Sequence, residues 1–155
     1  MPRNKLRAAA VAMIAAGTAM TACTGGTIYA HYKHTRGWER TDTAIFELPP
    51  MAEGGTYSTA VGLRINAGYP FADICLIVDQ RAMPGGTTRS DTLYRRLIDS
   101  RNRALGNGLN NFQYEFHVGD SRLRKGDTLM VAVRHYMKRE TLPGIEDIGV
   151  MVTRR

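Results

Sequence analysis

Apolar and polar positions alternate with a period of two through most of this chain. Phe112, Tyr114, Phe116 and Val118 alternate with Gln113, Glu115 and His117, which predicts a strand with one buried face. Tyr57, Thr59, Val61, Leu63 and Ile65 alternate in the same way with Ser58, Ala60, Gly62 and Arg64. Leu129, Val131 and Val133 give a further strand, and Ile148, Val150 and Val152 close the series. Residues 74–78 are apolar on both faces, the pattern of a central strand. Residues 91–99 read as a strand from Thr92-Leu93-Tyr94, although Leu93, Leu97 and Ile98 also fit helical spacing. Met83-Pro84-Gly85-Gly86 is a turn by composition, and Gly106-Asn107-Gly108 marks a loop that needs positive φ at one position at least. Seven or eight short strands between Gly and Pro turns, with no long amphipathic helix, predict an antiparallel all-β sandwich over residues 38–155.

The N-terminus follows a different pattern. Arg3, Lys5 and Arg7 precede an uncharged stretch over residues 8–19, the n-region and h-region of a secretory signal. That stretch is shorter than the roughly 20 apolar residues a spanning helix needs. It ends in Met20-Thr21-Ala22-Cys23, which resembles a bacterial lipobox, with methionine where leucine is usual. Residues 1–22 are therefore expected to be removed, Cys23 to carry diacylglycerol, and residues 23–37 to form a lipidated tether. Ordinary cleavage nearby, leaving Cys23 as a free or disulfide-bonded thiol, is the other reading. With Cys23 lipidated, Cys75 has no partner in the chain and is expected to pack as a small hydrophobe. Tyr29, Tyr32 and Trp38 lie near the anchor, where rings either dock on the domain or sit at headgroup level. Trp38 is expected to pack on the sandwich.

Charge narrows the partner classes. The full chain of 155 residues has formal charge +7, but three of its 21 bases precede residue 23. The remaining 133 residues carry 18 basic and 14 acidic side chains, a balance too mild to argue for nucleic acid. Arginine outnumbers lysine 15 to 3 there, which suits an acidic protein surface or lipid headgroups and equally a biased genome.

No cofactor motif, nucleophile elbow or metal signature occurs. His31 and His34 lie in the tether segment without thiols or carboxylates at ligand spacing. Asp91 and Asp99 bracket a strand, so each reads as a turn aspartate rather than as half of a hydrolytic pair. A hydrolase would need Asp91, Asp99 and His117 gathered in a cleft. A glycan or peptidoglycan module would need a cluster of exposed rings from Tyr94, Tyr114 and Tyr136, and alternation places Tyr114 inside.

Several short fragments, taken in order, carry a resemblance. They are the lipobox, His31-Tyr32, Trp38, Gly62-Leu63-Arg64-Ile65-Asn66, Tyr69-Pro70-Phe71, Ser90-Asp91-Thr92-Leu93 and Leu142-Pro143-Gly144-Ile145-Glu146-Asp147-Ile148-Gly149. Together they resemble the gliding motility lipoprotein GldH family of the Bacteroidota. The resemblance implies a non-enzymatic envelope lipoprotein, associated in gliding members with the type IX secretion machinery and present also in species that do not glide. It brings no catalytic residues. Ala104 stands where that family usually has an aromatic. The absence of Asp after Cys23, and of an acidic cluster, implies an outer-membrane anchor facing the periplasm. Among the matching residues, Arg64 alternates onto the face opposite Leu63 and Ile65. It is expected to pair with Asp91 or Asp147, or, with Asp147 and Trp38, to touch an envelope protein partner.

Overall fold

A computed structural model describes residues 25–155. Every regular element in it is a strand: β1 (Thr27–His34), β2 (Trp38–Glu39), β3 (Ala44–Glu47), β4 (Gly55–Asn66), β5 (Asp73–Met83), β6 (Thr88–Arg96), β7 (Asn111–Leu123), β8 (Thr128–His135), β9 (Thr141–Leu142) and β10 (Ile145–Arg154). Eight of them form two antiparallel four-stranded sheets, ordered β1-β10-β4-β7 and β3-β8-β5-β6, and β2 pairs with β9 in a short ribbon. Apart from the β5–β6 hairpin, paired strands are non-neighbours in sequence and the chain crosses repeatedly between the sheets, the interleaved order of a jelly roll. The expected sandwich is present.

Alternation decides which residues meet between the sheets. Val61, Leu63 and Ile65 of β4, Ile148, Val150 and Val152 of β10, and Tyr114 and Phe116 of β7 supply one inner face. Ile74, Leu76 and Val78 of β5 with Leu129, Val131 and Val133 of β8 supply the other. Three polar side chains share this interior: Thr59, Gln80 and His135. His135 lies edge-on to Trp38 at 5.3 Å between ring centroids. Burial holds its imidazole pKa below the ordinary 6.5, so the ring is neutral near pH 7.

Two expectations change, those for the tether and for Cys75. Residues 23–37 were expected to be a tether, yet β1 occupies most of that span and pairs with β10 from Thr27↔Thr153 to His34↔Asp147. The domain therefore begins by Thr27. As an edge strand, β1 turns His31 and Lys33 toward the other sheet, where Lys33 Nζ lies 5.3 Å from the centre of the Phe46 ring. Residues 91–99 are strand through Arg96, after which Ile98 and Ala104 form an isolated bridge. Cys75 faces outward: in β5 only Ile74, Leu76, Val78 and Gln80 are buried, while Cys75, Ile77 and Asp79 form a half-buried outer face. The 97–110 loop takes its positive φ at Asn102 (59°) and Gly108 (135°).

Candidate functional site

The two outer faces of the sandwich carry different chemistry. On the β1-β10-β4-β7 sheet, strand register lines up His34, Asp147, Arg64 and Gln113 in one row across all four strands. Arg64 Nη1 donates to Asp147 Oδ2 at 3.4 Å, and its Nε donates to Gln113 Oε1 at 3.2 Å. His34 Nδ1 lies 3.3 Å from the other Asp147 oxygen. The adjoining row runs Tyr32, Gly149, Gly62, Glu115. Two glycines side by side leave a trough in the sheet surface, and Tyr32 lies along it. A Cβ at Gly149 would stand 2.6 Å from the Tyr32 ring, and one at Gly62 would stand 2.4 Å from its hydroxyl. The Arg64 guanidinium sits over this ring, 4.5 Å from its centroid. Gln113 Nε2 donates to the Tyr32 hydroxyl at 3.3 Å. Aromatic cover of cross-strand glycines thus pins β1 to the sheet.

The outer face of the other sheet is mixed, with exposed apolar groups beside the Asp79–Arg134 ion pair and the Asp73 carboxylate, which accepts from the Tyr94 hydroxyl. Tyr94 of β6 and Tyr136 after β8 flank Cys75 of β5, through the register pair Cys75↔Tyr94 and the hydrogen bond from Tyr136 N to Cys75 O at 2.8 Å. The two tyrosines are 64% and 67% exposed, which makes them the most exposed aromatic rings among the described residues. They border a groove of about 390 Å³ that Phe71, Met137, Lys138 and Arg139 complete. Ile45 and Met83 are also exposed on this sheet. Burial, with the Asp73 carboxylate nearby, raises the Cys75 thiol pKa, which makes it a poor nucleophile.

Of the residues singled out in the sequence, Arg64 and Asp147 come together, whereas Asp91 pairs instead with Arg89 at 2.7 Å. Trp38 is 2% exposed and donates from Nε1 to Asp42 O at 3.0 Å, so its ring packs inside the domain. Tyr114 is buried as its parity requires, and its hydroxyl donates to Leu97 O at 2.9 Å. Asp99 accepts from the backbone N–H groups of Arg101 and Arg103 and from the Arg103 guanidinium. Led by the Arg103 N–H, these donors hold its carboxyl below the usual range, opposite to what a general acid needs. Cys23 lies outside the described residues.

One arrangement was not visible in the sequence. Ser58 Oγ lies 3.1 Å from His117 Nδ1, and His117 Nε2 lies 3.7 Å from Asp120 Oδ1. The β4–β7 register assembles it by pairing Ser58 with Asp120 across the bulge. The trio has the residue types of a hydrolytic triad. Ser58 and His117 sit on an open sheet surface, Asp120 borders a separate cavity of about 230 Å³ with Ser121 and Arg122, and His117 and Asp120 are well exposed. Among the described residues no group of three or more His, Cys, Asp or Glu is placed to hold a metal ion.

Two four-stranded antiparallel sheets in this strand order define the class of jelly-roll sandwich domains. Within that class the chain belongs to the GldH lipoprotein family, whose sequence model matches residues 27–152. A relative, the gliding motility lipoprotein GldH of Flavobacterium johnsoniae, is 26% identical over 151 residues, covering 92% of this chain and 94% of its own. Looser likeness links the fold to a family 35 carbohydrate-binding module from Clostridium thermocellum (10% identity, TM-score 0.39, 81% of this chain and 90% of that one). Eiger TNF from S. frugiperda is similar at 12% identity and TM-score 0.31, over 79% of this chain and 90% of that one.

Proposed function

We propose that this protein is a non-enzymatic outer-membrane lipoprotein facing the periplasm, anchored through diacylglycerol on Cys23. There it serves as an accessory or assembly component of the gliding motility and type IX secretion machinery or of a related outer-membrane complex. Confinement to the membrane raises its effective concentration near partners, so a modest interface suffices. Family membership supports the lipoprotein reading, and the observation that carries the docking surface is the row Tyr94–Cys75–Tyr136. Exposed tyrosines combine apolar area with a polar tip and are enriched in interface cores. Arg64 and Asp147 present their remaining capacity to solvent on the opposite face and serve there as a secondary contact. The test is a crosslinked pull-down of the tagged full chain from membranes. Wild type is expected to enrich envelope proteins, Cys23→Ala to lose them by mislocalisation, and Tyr94→Ala/Tyr136→Ala to lose them while still membrane-bound. Retention of every partner by the double variant would defeat the assigned surface.

A second reading rests on the same groove, because two exposed rings can stack on sugar. It requires the full chain to sediment with purified peptidoglycan sacculi and Tyr94→Ala to abolish that sedimentation. Equal sedimentation of the two forms would remove it.

A further inference from the structure

A cavity of about 540 Å³ opens beside Gly25 and Gly26, at the end of the sandwich where the chain enters β1. Its wall is mostly apolar: Ile28, Leu48, Pro49, Pro50, Met51 and Tyr57 line it. Leu48, Met51 and Tyr57 form a buried floor, whereas Ile28 at the rim is exposed. The surrounding chain is clipped in place. Tyr57 Oη donates to Glu53 O at 2.5 Å, Arg154 forms an ion pair with Glu53, and Arg154 Nη2 donates to Gly54 O at 3.2 Å. The entering chain is fixed as well, since Arg154 N donates to Gly26 O at 3.1 Å.

Cys23 precedes Gly25 by two residues, and two residues span at most about 7 Å. Gly25 lines this cavity, so any group on the Cys23 sulfur or amino nitrogen is tethered to its lining by about 7 Å of backbone at most. Register brings Thr27, Arg154, Gly55 and Leu123 to the same end of the sheet, and the exposed bases Arg122, Arg124 and Lys125 follow there. None of these three forms an ion pair among the described residues. Exposed bases at the same end of the sandwich as an apolar cavity suit an end that rests on a headgroup layer.

We infer that this cavity receives one acyl chain carried by Cys23 itself, seating the β1 end of the sandwich against the bilayer in one orientation. The inference rests on the lipidation of Cys23 proposed above. Its occupant is a hydrocarbon chain because the floor is apolar and the covalent path from Cys23 is short. The seated chain turns an anchor into an orienting device: the remaining chains enter the bilayer, while the Tyr94–Tyr136 face is held at a fixed angle to the membrane.

The test feeds a diazirine-bearing palmitate analogue to cells expressing the full chain, irradiates the membranes and maps the adducts by mass spectrometry. The expected result is label on Cys23 with photo-adducts on Leu48, Met51 or Tyr57 of the same molecule. Label on Cys23 with adducts confined to bilayer phospholipid or to outer surface residues would overturn the inference and leave the lipidation standing. Absence of label from Cys23 would overturn the lipidation and the inference with it.

Discussion

The two outer faces of this sandwich have similar strand counts and opposite economies. On the β1-β10-β4-β7 face the side chains at the centre answer one another: Arg64 serves Asp147, Gln113 and the Tyr32 ring, and Tyr32 fills the trough over Gly62 and Gly149. On the β3-β8-β5-β6 face one ion pair, Arg134 with Asp79, and the Tyr94 hydroxyl's bond to Asp73 sit beside tyrosine rings that lie open to water. The first face spends its chemistry holding an edge strand; the second leaves apolar area uncovered. Partner binding is most economical where desolvation breaks few internal bonds, which favours the tyrosine face, where the Tyr94 ring is tied only through its hydroxyl to Asp73.

The largest test of that contrast is Gly149→Val. Its branched side chain would drive Tyr32 out of the trough, and overpacking of this kind costs about 2–3 kcal/mol. Cys75→Val, at the centre of the opposite face, is expected to shift stability within about 0.5 kcal/mol. Urea unfolding of the two variants measures both, and equal losses would erase the contrast.

Next comes acid. His135 lies beneath the tyrosine face with its folded pKa depressed, so on acidification the unfolded chain takes up this proton first. Stability contributed by the neutral ring is complete above about pH 6.5 and is lost as pH falls toward the folded value. The slope from this one group is at most about 1.4 kcal/mol per pH unit. Thermal unfolding between pH 7 and pH 5 should show the decline, and His135→Phe should flatten it. Asp79 and Asp99 also have depressed pKa values, so their losses fall below the ordinary 3.8 and leave this window clear.

Smaller effects separate structure from recognition. A double-mutant cycle between Tyr32→Leu and Arg64→Met should give a coupling of about 0.5–1 kcal/mol from the cation–π contact. Tyr94→Ala should change stability by less than about 0.5 kcal/mol, since most of its ring is already exposed. A cycle showing no coupling, or a Tyr94 variant that unfolds readily, would reverse the roles assigned to the two faces.

Sequence patterning reached the core strands because burial on one side imposes period two. Tyr114 and Leu63 face inward and Arg64 faces outward as parity required. Strand β1 escaped because an edge strand buries little. Its inward positions are Tyr29, His31 and Lys33, and its outward Tyr32 is the ring that packs, so alternation of hydrophobicity is scrambled there. The same logic hid the orientation of Cys75: an outer face that is half-buried is apolar in composition and reads like a second core face. Arg64 and Asp147 were both singled out, yet the choice of Asp147 over Asp91 depends on β10 lying beside β4, a non-local pairing. The Tyr94–Cys75–Tyr136 row likewise exists only because β5 sits between β6 and β8.

The central claim is that this lipoprotein meets its envelope partner through the tyrosine face. The direct measurement places a photo-reactive benzoylphenylalanine at Tyr94 in one full-length form and at Glu115, on the opposite face, in another. Both are irradiated in native membranes. A discrete higher-mass adduct from position 94 and none from position 115 is the predicted outcome. Adducts from position 115 with none from position 94 would contradict the account and move the interface to the Arg64–Asp147 face.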